Sequence, residues 1–452
     1  MTQQGVRWTA DQVLALAPDA ASRDAGSRLG AAGPWSEAGF DEGTVWGLCK
    51  GSGSRPYRTA VDLGDASCPA YTCSCPSRKF PCKHALGLLL LWADGAGGHV
   101  VSRERAPEWA ERWIKERREK PSEGKSSSDQ GSSGGGASEA EAAARRRAER
   151  RAERITAGAT ELEQRLADLL RGGLAAVEQA GYGLWEETAA RMVDAQAPGL
   201  AARVRELGAT VSSGPGWPVR LLEECALLHL LVQGWLHRER LPPGLAATVR
   251  TRVGLPGAPE GPPMRDRWLI LAQYDTSEPK LTTRRIWLYG TDSGRTSLLL
   301  SYGAAGRAPE LALPVGLVLD AEVSAYPAGL RGALGERFAP PGPAAIRPPG
   351  VPVTRAVARY GEALRDDPWL ESVPVTLDGV VPTPDGDSWH LADATEDAAL
   401  PLTPAARARP GLWRLVSLSG GAPVKVFGEC GHRGFTPLTA WPQGAGEPIR
   451  LY

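Results

Sequence analysis

The sequence has no excess charge of either sign and few cysteines. Its 452 residues include 52 basic and 52 acidic side chains, so the formal net charge is zero. A strongly cationic nucleic-acid binder usually carries excess positive charge, so any nucleic-acid contact of this chain must be local. Seven cysteines in a chain of this length are too few for a disulfide scaffold.

Long hydrophobic runs and a secretory signal are also missing. The longest apolar run, residues 85–93, has about half of the roughly 20 residues that a membrane-spanning helix needs. The first eight residues lack the apolar core of a signal peptide. We therefore expect a cytoplasmic protein without a membrane partner, in which the thiols stay reduced.

The usual sequence motifs of catalysis are absent. There is no phosphate-binding loop with its lysine, no Gly-x-Ser-x-Gly elbow and no His-Glu-x-x-His helix. Residues 51–54 are rich in glycine but lack the Lys-Ser/Thr ending of a phosphate loop, so they are predicted to form a hairpin turn. Asp366 and Asp367 are adjacent and cannot face each other as a carboxylate pair. We expect that the protein is not an enzyme.

One short segment concentrates metal-binding side chains. Cys73 and Cys75 form a Cys-x-Cys pair, and after six residues Cys82 and His84 form a Cys-x-His pair. Three thiolates and one imidazole are the number and type of ligands that a closed tetrahedral zinc site needs. Because a closed site leaves no position for a catalytic water, we expect one structural zinc ion and no catalytic one.

The residues around this pattern suit a metal–thiolate site. Pro76 and Pro81 bracket the loop between the two pairs, and the apolar run that follows is typical of a short buried helix. Cys82 and His84 would lie at the N-terminus of that helix, which stabilises negative charge. Three basic residues lie inside the motif and could offset the negative charge of the site: Arg78, Lys79 and Lys83.

Cys-x-Cys, a spacer and Cys-x-His form the signature of the SWIM zinc finger. Residues 46–57 and 82–91 resemble the corresponding segments of bacterial SWIM proteins, and residues 1–120 and 155–452 resemble the same family by general pattern. The resemblance implies a ββα-like zinc module and a role in DNA or protein binding. It also implies one candidate partner, a MoxR-type AAA ATPase, because some bacterial relatives are thought to accompany such enzymes.

Composition and hydrophobic period divide the chain into regions. Residues 121–138 are almost entirely Ser, Gly and charged residues, which cannot bury enough apolar surface to fold. An apolar stripe at helical spacing follows at residues 155–170, and near Asp266 the period becomes that of strands. The predicted fold class is α+β, with a small ββα-like zinc module, a flexible linker, a helical region and a mostly antiparallel β C-terminal region. The predicted boundaries are 1–120 for the N-terminal region (finger about 57–93), 121–138 for the disordered linker, 139–265 for the helical region, and 266–452 for the β region with a helix near 354–364.

Local patterns predict individual elements within these regions. Thr9 and Gln12 match a capping box at the start of a short helix. Residues 44–50 and 56–63 are predicted to form a strand hairpin that leads into the zinc loop. In the C-terminal region, residues 413–418 alternate between apolar and polar side chains and are predicted to form a strand.

The remaining cysteines and histidines lack the partners that a metal site requires. Three cysteines are interpreted as buried thiols: Cys49, Cys68 and Cys225. His229 follows Cys225 by four residues on a predicted helix, and two ligands without partners are more often core residues. Cys430 and His432 repeat the Cys-x-His spacing, but we interpret this pair as part of a turn.

Two functions from different classes agree with these features. The first is a protein-interaction adaptor, in which the zinc module presents a rigid surface and the aromatic-rich strands of the α+β body dock a second partner. The second is a DNA-binding module, in which basic residues around the finger grip phosphates if they share one face: Arg55, Arg58, Arg78, Lys79 and Lys83. The same basic residues could instead only neutralise the thiolate cluster.

Overall fold

The structure is a computed structural model that describes most of the chain from Trp8 to Tyr452. The described residues exclude positions 1–7, 15, 18–19, 42, 52–54, 64–68, 78, 80, 95–98, 104, 120–135, 256, 279–280, 305–308, 310, 344–345 and 445. Within the described part, no helix combines the length and the hydrophobicity that crossing a bilayer requires. Several sequence predictions lie wholly or largely outside the described residues: the turn at 51–54, most of the linker at 121–138, Cys68 and Arg78.

The N-terminal region contains one sheet with helices packed against it. Its elements are α1 (Ala10–Leu14), α2 (Ala20–Arg28), β1 (Trp35–Phe40), β2 (Thr44–Cys49), β3 (Tyr57–Asp62), β4 (Ala70–Cys73), α3 (Lys83–Ala93), β5 (Val101–Ser102) and α4 (Glu108–Glu119). The strand order is β4-β3-β2-β1-β5; β5 is parallel to β1, and the other neighbours are antiparallel. The predicted hairpin is confirmed as β2 and β3. Together β3, β4 and α3 form the expected ββα unit.

The predicted capping box is confirmed at the start of α1. The backbone N–H of Gln12 donates to Thr9 Oγ1 at 3.3 Å, and the backbone N–H of Thr9 donates to Gln12 Oε1 at 2.9 Å. Each side chain therefore satisfies a backbone donor that the first helical turn leaves without a helical partner.

Helices α2 and α3 approach each other closely because two glycines lie at their contact. A Cβ atom at Gly87 of α3 would lie 2.5 Å from the Leu29 Cβ and 3.0 Å from the Leu29 backbone. A Cβ atom at Gly26 of α2 would lie 2.8 Å from the Leu86 Cβ. This close packing holds α2 beside the N-terminal end of α3, where Cys82 and His84 lie.

The helical region packs around a single apolar core. Its helices are α5 (Gly136–Gly172), α6 (Ala175–Asp194), α7 (Pro198–Val211), α8 (Trp217–Leu236) and α9 (Pro243–Val253). The predicted stripe is confirmed, because Ile155, Leu162 and Leu166 are buried against residues of the other helices. Helix α5 begins at Gly136 and so includes the last three residues of the predicted linker, 136–138. The helix-favouring Ala and Glu residues that follow directly explain this extension.

A small closed barrel begins the β region. Its strands are β6 (Glu260–Ser277), β7 (Leu281–Gly290), β8 (Thr296–Ala304), β9 (Leu317–Ala325) and β10 (Arg331–Arg337), and β11 (Gly342–Pro343) adds to the edge of β9. β6 pairs with β7 and β9, and β7 pairs with β8. β10 closes the barrel, because it pairs with both β8 and β9.

The rest of the β region is a second, antiparallel sheet flanked by short helices. Its elements are α10 (Val353–Ala363), β12 (Ser372–Asp385), β13 (Ser388–Asp393), β14 (Ala399–Pro401), α11 (Pro404–Arg407), α12 (Gly411–Ser419), β15 (Val424–Gly431), β16 (Gly434–Trp441) and β17 (Ile449–Arg450). The strand order is β14-β13-β12-β15-β16-β17. The predicted helix near 354–364 is confirmed as α10, and the α+β class is confirmed for the described chain.

The strand predicted at residues 413–418 is wrong, because this segment forms α12. Leu412, Leu415 and Ser419 are buried at helical spacing, whereas Trp413 is 62% exposed. Gly420 then adopts a φ of 52°, which ends the helix in the left-handed conformation that favours glycine. The alternation that suggested a strand therefore reflects one face of a short amphipathic helix.

The sheets are joined through shared apolar contacts. Apolar residues of α1, of the finger and of the barrel interior pack together as one core. Gln12 Nε2 also donates to the Val315 carbonyl at 3.5 Å. The outside of the barrel packs on the C-terminal sheet, where Trp287 meets Phe427 edge to face at 6.4 Å between ring centroids. Thr439 Oγ1 donates to the Leu271 carbonyl at 2.6 Å across the same contact.

Candidate metal centre and the adjacent basic cleft

The secondary structure brings the four expected metal ligands to one point. Cys73 is the last residue of β4, and Cys75 follows it in the loop. Cys82 occupies the N-cap position of α3, and His84 lies in the first turn of that helix. The ββα unit therefore folds the two pairs onto each other although six residues separate them in sequence.

The distances among these side chains match a tetrahedral zinc site. The four ligand atoms lie within 4.8 Å of one another, and Cys82 and His84 are buried. His84 Nδ1 is 3.7 Å from Cys73 Sγ and 4.0 Å from Cys82 Sγ. Zinc–ligand bonds of about 2.3 Å to sulfur and about 2.0 Å to nitrogen imply an S···N separation of roughly 3.6 Å at tetrahedral angles. The residues present therefore fit the ion.

The electrostatics of the thiols favour a cation among them. A hydrogen bond with Cys82 lowers the pKa of the Cys73 thiol to about 3, and the same contact raises the pKa of Cys82. Burial raises the pKa of Cys75. Because three thiolates at this distance repel one another, a divalent cation is needed for all three to be deprotonated together.

Neighbouring groups orient and stabilise the thiolates. Thr59 lies opposite Cys73 in the β3–β4 pairing, and its fully buried Oγ1 is 3.2 Å from Cys73 Sγ. The Cys82 thiol lies at the N-terminus of α3, and the Ala85 backbone N–H acts to lower its pKa. The Tyr57 ring contacts the His84 ring with centroids 4.8 Å apart. Such supporting contacts commonly fix the position and basicity of metal ligands.

A basic cleft, which we call the lysine cleft, opens directly beside the four ligands. It has a volume of about 530 Å³ and is lined by Cys75 and His84, by residues of α2, and by three exposed lysines: Lys50, Lys79 and Lys83. Tyr57 also lines it. The structure thus brings together two of the three basic residues singled out inside the sequence motif, Lys79 and Lys83. The third, Arg78, lies outside the described residues.

Sequence reasoning missed Lys50 and Thr59. Lys50 follows β2 and reaches the cleft because the β2–β3 hairpin returns the chain to the finger. No local sequence signal links it to Lys79. Thr59 would have been found if a strand had been predicted at residues 70–73, because the β3–β4 pairing places it opposite Cys73.

Among the described residues, no other cysteine or histidine belongs to this cluster. Cys49, Cys225 and Cys430 are buried, and burial raises the pKa of each thiol to about 11. The interpretation of His229 as a core residue is wrong, because its side chain is exposed and its Nδ1 lies 2.7 Å from Glu163 Oε1 on α5. His432 lies in the β15–β16 turn, 3.2 Å from Tyr360 Oη.

A ββα unit with three cysteines and one histidine defines a structural zinc-finger protein. Comparison with family models agrees: the SWIM zinc finger matches residues 57–93, and the SWIM-associated four-helix bundle domain matches residues 150–253. No curated protein and no solved structure matches the chain. The chain therefore contains a SWIM zinc finger and a SWIM-associated helical bundle, and its Cys/His cluster supports one structural zinc ion.

Proposed function

We propose that this protein is a non-catalytic nucleic-acid-binding protein, in which zinc keeps the finger folded and the lysine cleft binds phosphates. The observation that carries this proposal is the convergence of Lys50, Lys79 and Lys83 in one cleft beside the metal centre. SWIM zinc fingers are generally structural or interaction modules, which agrees with a binding role.

The chemistry of the lysine cleft suits a phosphodiester backbone. In the described part of the chain, neither Lys50 nor Lys83 forms an ion pair, so both ammonium groups are available to an anionic ligand. Lysine contacts to phosphates supply most of the sequence-independent affinity for nucleic acid. Tyr57 in the same cleft offers an aromatic ring, and such rings stack on bases of single strands.

A competing explanation is that the lysines only balance the charge of the zinc–thiolate cluster. The two explanations predict different losses. A phosphate-binding cleft loses nucleic-acid affinity when its charge is removed and keeps its zinc. A charge-balancing role predicts weaker zinc retention and no change in nucleic-acid affinity.

The test is a double substitution, Lys50→Gln with Lys83→Gln, measured beside the charge-preserving pair Lys50→Arg and Lys83→Arg. The probe is a fluorescein-labelled single-stranded oligonucleotide, followed by anisotropy from about 50 to about 200 mM salt. We expect the glutamine pair to bind more weakly and with a shallower salt slope, by about 0.7 for each lost phosphate contact. We expect the arginine pair to bind like the wild type. Equal affinity of all three proteins with unchanged zinc content contradicts the proposal.

A protein-interaction adaptor is the second candidate, and a surface of the helical bundle favours it. Helix α8 exposes an apolar stripe at helical spacing, with Val219 63%, Leu222 50% and Leu230 45% exposed, and Ala226 between them. Exposed apolar stripes of this kind dock partner helices or grooves. The aromatic-rich strands that sequence reasoning assigned to partner docking carry less weight, because Trp287 packs within the chain.

The adaptor candidate is tested with the partner that the family resemblance suggests, a MoxR-type AAA ATPase. Leu222→Asp places a charge on the stripe, and Val357→Asp places the same charge at an equally exposed valine on α10. Co-elution of the purified proteins that is lost in Leu222→Asp and kept in Val357→Asp supports docking through α8. If the wild-type protein does not co-elute with the MoxR-type AAA ATPase, that enzyme is excluded as the partner.

A further inference from the structure

A second basic cleft, which we call the arginine cleft, lies where the N-terminal helices, the barrel and the C-terminal region meet. Its volume is about 480 Å³. Helices α1 and α2 supply Gln12 and Arg23, the segment before β9 supplies Val315, and the C-terminal region supplies Arg409, Arg414 and Arg450. The cleft therefore depends on three parts of the fold at once.

Positive charge in this cleft exceeds what the protein itself neutralises. Four arginines line it together with one acidic side chain, that of Glu447. Among the described residues, Arg23, Arg409 and Arg414 form no ion pair. Elsewhere on the surface arginines pair with carboxylates, as Arg355 does with Glu362 at 2.7 Å. Converging like charges raise the local positive potential, and an anion in the cleft lowers that electrostatic cost.

Two of these arginines are held in place by contacts that leave their charge unneutralised. The Arg409 guanidinium lies over the Tyr452 ring, 3.9 Å from its centroid. Arg414 Nη1 donates to the Arg450 carbonyl at 3.4 Å. A guanidinium offers five donors in a planar fork, so most of its donors remain to bind the oxygens of a phosphate.

We propose that the arginine cleft is a second phosphate-binding site, which takes the backbone of the same nucleic acid that the lysine cleft binds. Helix α2 lies between the two clefts: Ala21 and Ala25 line the lysine cleft, and Arg23 lines the arginine cleft. A helix with its side chains is about 10–12 Å wide. A short stretch of one nucleic-acid strand can therefore reach both clefts.

The choice of nucleic acid as the source of the phosphates rests on the proposed function. The phosphate-binding chemistry of the arginine cleft does not rest on it, because the same arginines would also recognise a free phosphorylated ligand. Binding to both clefts would join the zinc-finger region to the C-terminal region through one ligand.

The test reverses two exposed arginines from different parts of the cleft, Arg23→Glu with Arg414→Glu. Arg409 is left unchanged because it packs on Tyr452. The matched control reverses two exposed arginines that do not line the cleft, Arg154→Glu with Arg359→Glu. Both double variants change the net charge equally. Each protein is titrated with the labelled oligonucleotide across salt, and with inorganic pyrophosphate by calorimetry.

We expect the cleft variant to bind the oligonucleotide roughly tenfold more weakly than the control at low salt, with a salt slope shallower by about 0.7 for each lost contact. Pyrophosphate binding that is lost in the cleft variant, with oligonucleotide affinity equal to that of the control, assigns the site to a free phosphorylated ligand. If the cleft variant equals the control with both probes, the proposal is overturned. The lysine variants, measured in parallel, show whether the proposed function stands when the arginine cleft does not.

Discussion

The finger and the helical bundle each contain a cysteine and a histidine close in sequence, and they use them differently. In the finger, Cys82 and His84 lie two residues apart and meet two further thiols. In the bundle, Cys225 is buried in the apolar core, and His229 pairs with Glu163 at a partly exposed position. The comparison teaches that residue type alone does not make a metal site. A metal site forms where several ligand side chains come together in space, and among the described residues this happens only in the finger.

The same comparison separates two ways of stabilising a small unit. The finger gains stability from metal coordination, since zinc binding is coupled to folding. The bundle gains stability from apolar burial, with Trp235, Leu228 and Ile155 almost fully buried. Substitutions in the finger should therefore remove metal binding, and substitutions in the bundle should remove apolar burial.

The largest effect is expected for Cys82→Ser in the finger. Removal of one thiolate leaves three ligands and greatly weakens zinc binding, and the region of about residues 40–95 should then lose protease resistance. The helical bundle of residues 136–253 should stay folded, because it has its own core. The measurement is zinc content beside limited proteolysis with mass identification of the fragments. Equal protease sensitivity of the finger and the bundle would contradict this separation.

The second prediction concerns the bundle. Leu228→Ala deletes a buried side chain from its core and should lower the free energy of unfolding by about 2–5 kcal/mol. Zinc content should equal that of the wild type, because the bundle contributes no ligand to the cluster. Urea unfolding followed by far-ultraviolet circular dichroism measures the first quantity, and metal analysis measures the second. Zinc loss in this variant would mean that the finger depends on the bundle.

The third prediction tests the support of the metal ligands. Thr59→Val keeps the shape of the side chain and removes the hydroxyl that contacts Cys73 Sγ. Loss of such a contact typically weakens metal affinity by about 10–100-fold. Competition with a zinc chelator measures the change, with Thr44→Val as a control at another buried threonine in the same sheet. Equal zinc affinity of the two variants would show that the Thr59 hydroxyl does not support zinc binding.

The metal centre was predictable from the sequence because its ligands are local. All four lie within residues 73–84, and the capping box of Thr9 and Gln12 is equally local. The two basic clefts were not predictable, because Lys50 and Lys79, or Arg23 and Arg414, meet only after the whole chain has folded. The net charge of the whole chain is zero and gives no indication of these local basic clusters.

The β region shows a second limit of sequence reasoning. The long strand β12 was not predicted, and it contains Pro374, Pro382 and Pro384, which usually argue against a strand in the middle of a sheet. Helix α12 was predicted as a strand because nine residues are too few to separate the two periods. In both cases tertiary contacts, which the local pattern does not contain, decide the conformation.

The smallest effect is expected at Cys225, and only at alkaline pH. Burial raises the pKa of this thiol from 9.0 to about 11, so the unfolded chain ionises before the folded one. The resulting contribution to the free energy of unfolding is present below about pH 9 and is lost as the pH rises toward 11. The loss at pH 10 is about 1.4 kcal/mol. Cys225→Ala removes this dependence. The difference in unfolding free energy between wild type and variant should therefore change between pH 8 and pH 10 by that amount, measured by urea unfolding. Parallel pH profiles would show that the Cys225 thiol ionises equally well in the folded bundle, and the contrast with the zinc-bound thiolates of the finger would then be smaller than the structure indicates.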